Sequence, residues 1–258
     1  SPLGEGDLLV RLIDRSEARA AGQMRVDFVA NASHELRTPL STLIGYTETL
    51  RERAVELDGG TRERFLAIVH DEARRMQRVV EDLISLSRIE AEKFTTPTEA
   101  VDLEQLIEVS VESSRRLADE RGSTLVCKIE PGLPNIAADS SQILQVLDNL
   151  ITNALRYGEP GTPVTVSAAL EDEMVHLSVE DRGEGIAPEH VKRLTERFYR
   201  VDTSRSRSLG GTGLGLSIVK HIVERHRGRL TIESELDKGT RVHVLLPVAP
   251  GSEVTRLS

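Results

Sequence analysis

From Asp14 to Lys93 the apolar positions recur at helical spacing, with hardly a sign of strand alternation. Phe28, Ala32, Leu36, Leu40, Leu43 and Leu50 form one stripe. Phe65, Ile68, Val69, Met76, Val79, Val80, Leu83 and Leu86 form a second. Gly59-Gly60 separates the two, and Thr61 is placed to cap the second helix. The pattern predicts a helical hairpin. A lone hairpin of this length cannot bury its stripe, so the expected solution is a homodimer whose hairpins form a four-helix bundle. Packing of the stripe on the rest of the same chain is the alternative.

After a short polar stretch at 94–100 the texture changes. The pattern predicts helix 102–120, strand 124–130, helix 140–157 and strands 163–170 and 174–181. After a loop-rich stretch come helix 213–226 and strands 229–235 and 240–247. Paired strands interleaved with helices imply an α/β sandwich, with a mixed sheet and helices on one face.

Aromatic residues are only 3% of the 258 and Trp is absent, so the cores are aliphatic. A formal charge of -9 disfavours nucleic acid as a partner, because that needs a basic surface. The one cysteine, Cys127, lies in the apolar run TLVCKIE and is expected to be buried packing. No run approaches the roughly 18 apolar residues of a membrane span. This segment is therefore expected to be soluble, cytoplasmic and without membrane contact. Its opening reads as a cut through a longer protein.

Two constellations carry chemistry. In the first, Phe28 to Leu40, His34 and Thr38 stand one helical turn apart with Glu35 beside them. Pro39 removes a backbone donor in mid-helix, at a cost of about 3 kcal/mol, and a bend is expected there. Neutral imidazole is nucleophilic near physiological pH, and Glu35 is placed to take its proton. Thr38 could orient a water for the reverse, hydrolytic reaction.

The second is spread over the later half. Helix 140–157 presents Asn149, Asn153 and Arg156 or Tyr157 beside its apolar face, where a plain surface helix would carry Glu and Lys. Strand 174–181 ends in Asp181-Arg182-Gly183-Glu184-Gly185-Ile186, a carboxylate followed by glycines that let backbone approach a ligand. Gly210-Gly211-Thr212-Gly213-Leu214-Gly215 opens a helix and offers free amides to phosphate. The segment from Thr195 to Leu209, with Arg197, Arg200, Arg205 and Arg207, is polar enough to act as a mobile lid.

In order and spacing, His34-Glu35-Leu36-Arg37-Thr38-Pro39, Asn149/Asn153, Asp181-x-Gly183-x-Gly185, Phe198-Tyr199 and Gly211-x-Gly213-x-Gly215 resemble the H, N, G1, F and G2 boxes of two-component histidine kinases. The resemblance spans about residues 24 to 248. It implies residues 1–23 as a signalling helix or linker from an upstream sensor, and 24–93 as a dimerisation and phosphotransfer domain. It further implies a linker at 94–100, an ATP-binding domain of the Bergerat type at 101–248, shared with gyrase and MutL, and a tail at 249–258. His34 is then the phosphoacceptor, Glu35 its general base and Thr38 the positioner of water for phosphatase activity. ATP would meet Asn149, Asn153, Arg156, Tyr157, Asp181, Gly183, Gly185, Ile186, Arg200, Gly211, Thr212, Gly213, Leu214 and Gly215. Asn153, with Asn149 beside it, would ligate Mg²⁺. The implied partner is the receiver domain of a response regulator. The segment Ser87 to Glu92 is similar to that of phosphate-sensing kinases. An ATP-driven clamp of the gyrase class is the competing reading, but those proteins carry a catalytic Glu where Asn149 stands and lack the H box.

Overall fold

The computed structural model describes residues 16–53, 56–92, 94–201 and 211–252, with side chains from residue 29 onward. The side chain of Phe28, the arginines at 205 and 207, the first fifteen residues and the tail from 253 lie outside the described residues. Helix α1 (Ser16–Glu52) and helix α2 (Gly59–Ala91) form the hairpin. α1 continues through Pro39, which is buried. Asp58, rather than Thr61, caps α2: its carboxylate accepts the Thr61 amide at 2.9 Å and the Thr61 hydroxyl at 2.6 Å. Gly59 and Gly60 thus belong to the first helical turn, because the true cap lies one residue before them.

The later half follows the predicted order closely. Strand β1 (Ala100–Val101) precedes helix α3 (Leu103–Arg121) and strand β2 (Thr124–Ile129). Strand β3 (Ile136–Ala137) pairs with β1, and helix α4 (Ser140–Tyr157) follows it. Then come β4 (Pro163–Glu171), β5 (Met174–Glu180), the single turn α5 (Pro188–Val191), α6 (Gly215–Arg225), β6 (Arg229–Glu235) and β7 (Gly239–Pro247). Aspartates cap two of the helices. Asp102 holds the Gln105 amide at the start of α3, and Asp139 holds those of Ser141 and Gln142 at the start of α4.

The five-stranded sheet runs β2-β4-β5-β7-β6; only β2 and β4 are parallel. Val164, Val166, Val175, Leu177, Val179, Val244 and Leu246 are buried against Ile143, Leu147, Ile151, Ile218 and Ile222 of the helical layer. Alternate residues on the other face, such as His176 and His243, are only half-buried. Cys127 is exposed, against expectation. It pairs in register with buried Val166, but β2 is the edge strand and the helical layer does not cover it there.

Most described positions of the two expected stripes are half-buried, and Val79 and Leu86 are fully buried, Leu86 with its neighbour Ile89 in the core of the second domain. Leu40 and Val80 of the stripes stay exposed, as do Ile44, Leu66 and Ile84 outside them, by 42–49%. None of the described helices is long and apolar enough to cross a membrane.

Candidate functional site

A cavity of about 620 Å³ opens between α4, the end of β5, the segment before α6 and helix α2. α4 is positioned by its buried face, which turns Asn149, Asn153, Arg156 and Tyr157 onto the cavity wall. Asn149 donates to the Gln145 carbonyl at 2.9 Å, which directs its Oδ1 outward. A Cβ on Gly215 would come within 2.7 Å of that oxygen, so the glycine allows α6 to start against the amide. Asn153 lies beside the same point. These amides suit Mg²⁺ only with phosphate oxygens completing its shell. Among the described residues no three His, Cys, Asp or Glu side chains are grouped to hold a metal.

Asp181 is buried at the end of β5, where its Oδ1 accepts the Thr240 amide at 3.3 Å. Burial pushes its carboxyl up to about 6. Gly185 has φ +67, and a Cβ there would meet the Glu235 carbonyl at 1.9 Å. This glycine is demanded by the neighbouring strand as well as by any ligand. Gly185 and Ile186 line the cavity, and the Ile186 amide donates to Ser234 Oγ. Gly183 does not line it. Instead it bridges to Gly158 behind the wall, because the chain crosses closely there.

Gly211, Thr212, Gly213 and Gly215 line the cavity, and Leu214 is a correction to the expected set. Its side chain is fully buried and its amide already donates to Thr212 Oγ1 at 3.2 Å. The Thr212 hydroxyl in turn donates to Asp82 of α2 at 2.6 Å.

The hairpin therefore forms one wall, through Arg78, Glu81 and Asp82. Sequence reasoning missed all three. The only local signal was polar residues among the apolar positions of α2. Burial raises the Asp82 carboxyl above its ordinary range, against the opposing effect of the Thr212 bond. Burial and then the nearby Arg78 weaken the hold of Arg156 on its proton, although a guanidinium remains charged. Arg78 and Arg156 thus face the cavity together with the carboxylates of Glu81 and Asp82.

A second cavity, of about 350 Å³, is lined by His34, Glu35, Asn31, Arg193, Glu196, Arg197, Phe198 and Tyr199. His34 is exposed. Thr38, also exposed, donates back to the His34 carbonyl at 3.3 Å. Glu35 is not left open. Its Oε2 accepts from Arg75 of α2 at 3.0 Å and from Arg200 at 2.9 Å. Arg200 lines the first cavity and Glu35 the second, so their ion pair stands between them.

Over its described part, 195–201, the segment expected to act as a mobile lid is tied to the hairpin by ion pairs. Arg197 pairs with Glu90 of α2, and Arg200 with Glu35. Hairpin carboxylates hold these arginines down, something composition alone could not show. Further along, Arg225 of α6 holds the Glu92 carboxylate at 3.0 Å and its carbonyl at 3.3 Å, and Arg227 donates to Thr96. The start of the linker is thereby tied to the second domain.

Comparison with known proteins bears on this arrangement. Residues 24–92 match the His Kinase A (phospho-acceptor) domain. Residues 138–250 match the ATPase domain described as histidine kinase-, DNA gyrase B- and HSP90-like. A mycobacterial sensor histidine kinase, MprB, is 30% identical with a TM-score of 0.52; the match covers 59% of this chain and 99% of that one. The chain belongs to the histidine kinases. Another relative, the sensor protein SrrB of Staphylococcus aureus (strain NCTC 8325 / PS 47), is 38% identical over 247 residues. That match takes in 95% of this chain but only 42% of SrrB. Full-length ShkA, solved in complex with AMPPNP, is 28% identical with a TM-score of 0.64, over 88% of this chain and 47% of ShkA. As a histidine kinase, the chain combines a phosphoacceptor-type helical hairpin with an ATPase-type domain.

Proposed function

We propose that this chain binds ATP in the larger cavity, transfers the γ-phosphoryl group to His34 and passes it to an aspartate of a response-regulator receiver domain. The observation that carries this reading is the Glu35–Arg200 pair, which joins the wall of one cavity to the wall of the other. Phosphoryl transfer depends mainly on positioning and on neutralising charge. Asp181 would accept the amine of adenine, Tyr157 would lie along the base, and Arg156 and Arg78 would face the phosphates. Mg²⁺, held by Asn153 and Asn149, would draw charge from the phosphate oxygens. Arg200 would move from Glu35 to the phosphates, freeing Glu35 to take a proton from the His34 ring. A ring nitrogen then attacks phosphorus, the phosphorus–oxygen bond breaks, and ADP leaves with the negative charge. Thr38 would serve phosphatase activity toward that regulator, positioning the water that attacks its phosphoaspartate and releases inorganic phosphate.

The exposed apolar residues Leu40, Ile44, Leu66, Val80 and Ile84 support a homodimer packed through the hairpins. Incubation with γ-labelled ATP and Mg²⁺ should give acid-labile, alkali-stable label. The label should vanish in His34→Gln while nucleotide binding persists. Label that remains in this variant would sink the assignment of His34.

A further inference from the structure

On the sheet face turned away from the helices, β5 and β7 bring two histidines together. His176 and His243 are not direct register partners: His176 lies opposite Leu245, and His243 opposite Ser178. They are diagonal neighbours on one face. Their rings stack with centroids 5.1 Å apart and an interplanar angle of 22°. His176 Nε2 and His243 Nδ1 are 2.9 Å apart. Each outward nitrogen faces a carboxylate, Glu171 at 3.4 Å from His176 Nδ1 and Glu233 at 3.5 Å from His243 Nε2.

Three contacts run along this line: carboxylate to imidazole, imidazole to imidazole, and imidazole to carboxylate. Each needs an electrophile between two lone pairs. Two neutral imidazoles bring only two protons. If the carboxylates take both N–H groups, as they do for metal-bound histidines, two ring lone pairs are left facing each other. His243 Nε2 is buried from solvent and makes no hydrogen bond, and Glu233 is the anion that faces it at 3.5 Å.

We propose that this pair binds a borderline divalent cation of the Zn²⁺, Ni²⁺ or Cu²⁺ class. Imidazole nitrogen suits such ions, whereas Mg²⁺ and Ca²⁺ prefer oxygen. Metal–nitrogen bonds of about 2.0–2.1 Å span roughly 2.9 Å at a right angle and roughly 3.4 Å at a tetrahedral one. The observed 2.9 Å matches the right-angled arrangement, and a tetrahedral one needs the two rings to part by about 0.5 Å. The side chains are 29% and 19% exposed, so water can reach the ion and complete its shell. Glu171 and Glu233 act from behind, orienting the rings and offsetting the charge of the ion. The site lies across the sheet from the nucleotide cavity, and Val179 and Val242 of the same two strands line that cavity.

Calorimetric titration of the metal-free chain with Zn²⁺ at neutral pH should show one saturable equivalent. His176→Asn combined with His243→Asn should abolish it, and Glu171→Gln with Glu233→Gln should weaken it roughly tenfold. His70→Asn, a change at an exposed histidine of α2, should leave it unaltered. No saturable Zn²⁺ binding by the unaltered chain, or equal binding by the double histidine variant, overturns the proposal. Addition of Cu²⁺ to the unaltered protein tests it independently of variant folding. Ring-proton resonances of His176 and His243 should broaden first, and earlier broadening at any other histidine overturns it.

Discussion

Asp181 occupies a position that costs stability to maintain. Unfolded, its carboxyl would titrate near the usual value of about 3.9. In the fold, burial pushes it up to about 6. Between these two pH values the folded chain binds more protons than the unfolded one. Stability therefore falls as pH rises through that interval, by up to about 3 kcal/mol at this one group. The ionised form is also the stronger acceptor for an exocyclic amine, so under the proposed function the cost would serve recognition. Asp181→Asn should raise the melting temperature at neutral pH and weaken nucleotide binding by roughly tenfold or more. Parallel melts and fluorescent-nucleotide titrations check this. A loss of both stability and affinity would show that the carboxylate mainly holds the Thr240 turn together.

Among the elements, α2 begins at a cap that titrates. Asp58 is fully exposed, and its hydrogen bonds from Thr61 hold its carboxyl below the usual range. Its contribution is present above the ordinary carboxylate pKa and is lost as pH falls through the lowered one. Asp58→Ala should lower the melting temperature at neutral pH, and the difference from the unaltered chain should vanish in acid. A difference that persists in acid would mean that the carboxylate does not act as the cap. Elements with strong periodicity were legible in the sequence. α4 matches its expected bounds because its apolar face repeats over five turns, and β6 does so through alternation. β1, β3 and α5 are too short to show a period, and they form because neighbouring chain supplies their partners. Cys127 was misplaced because an apolar run does not reveal that its strand lies at an edge. Most of the cavity wall was legible in the motifs. Its hairpin side was not, because Asp82–Thr212 and Glu35–Arg200 join residues 130 and 165 positions apart.

At the scale of the whole molecule, the two domains share the cavity, and one shared group is an anion. Asp82 faces Thr212 where phosphate is expected to lie. A like charge about 4 Å away costs ~1 kcal/mol in water and more where the group is partly buried, as Asp82 is. Asp82→Ala should therefore tighten nucleotide binding by about fivefold or more. Unchanged or weaker binding would place the phosphates away from Thr212. The same contact has a mechanical consequence. α6 and the segment before it lie alongside the second half of α2, tied by Asp82 to Thr212 at one end and, towards the other, by Glu90 to Arg197 and His221 and by Glu92 to Arg225. The ten residues from Asp82 to Glu92 rise about 15 Å, close to the length of α6. Two rods fastened at three points in parallel behave as one beam. A twist or slide imposed on α2 from the hairpin would reach the glycine turn directly, with no slack joint on the way.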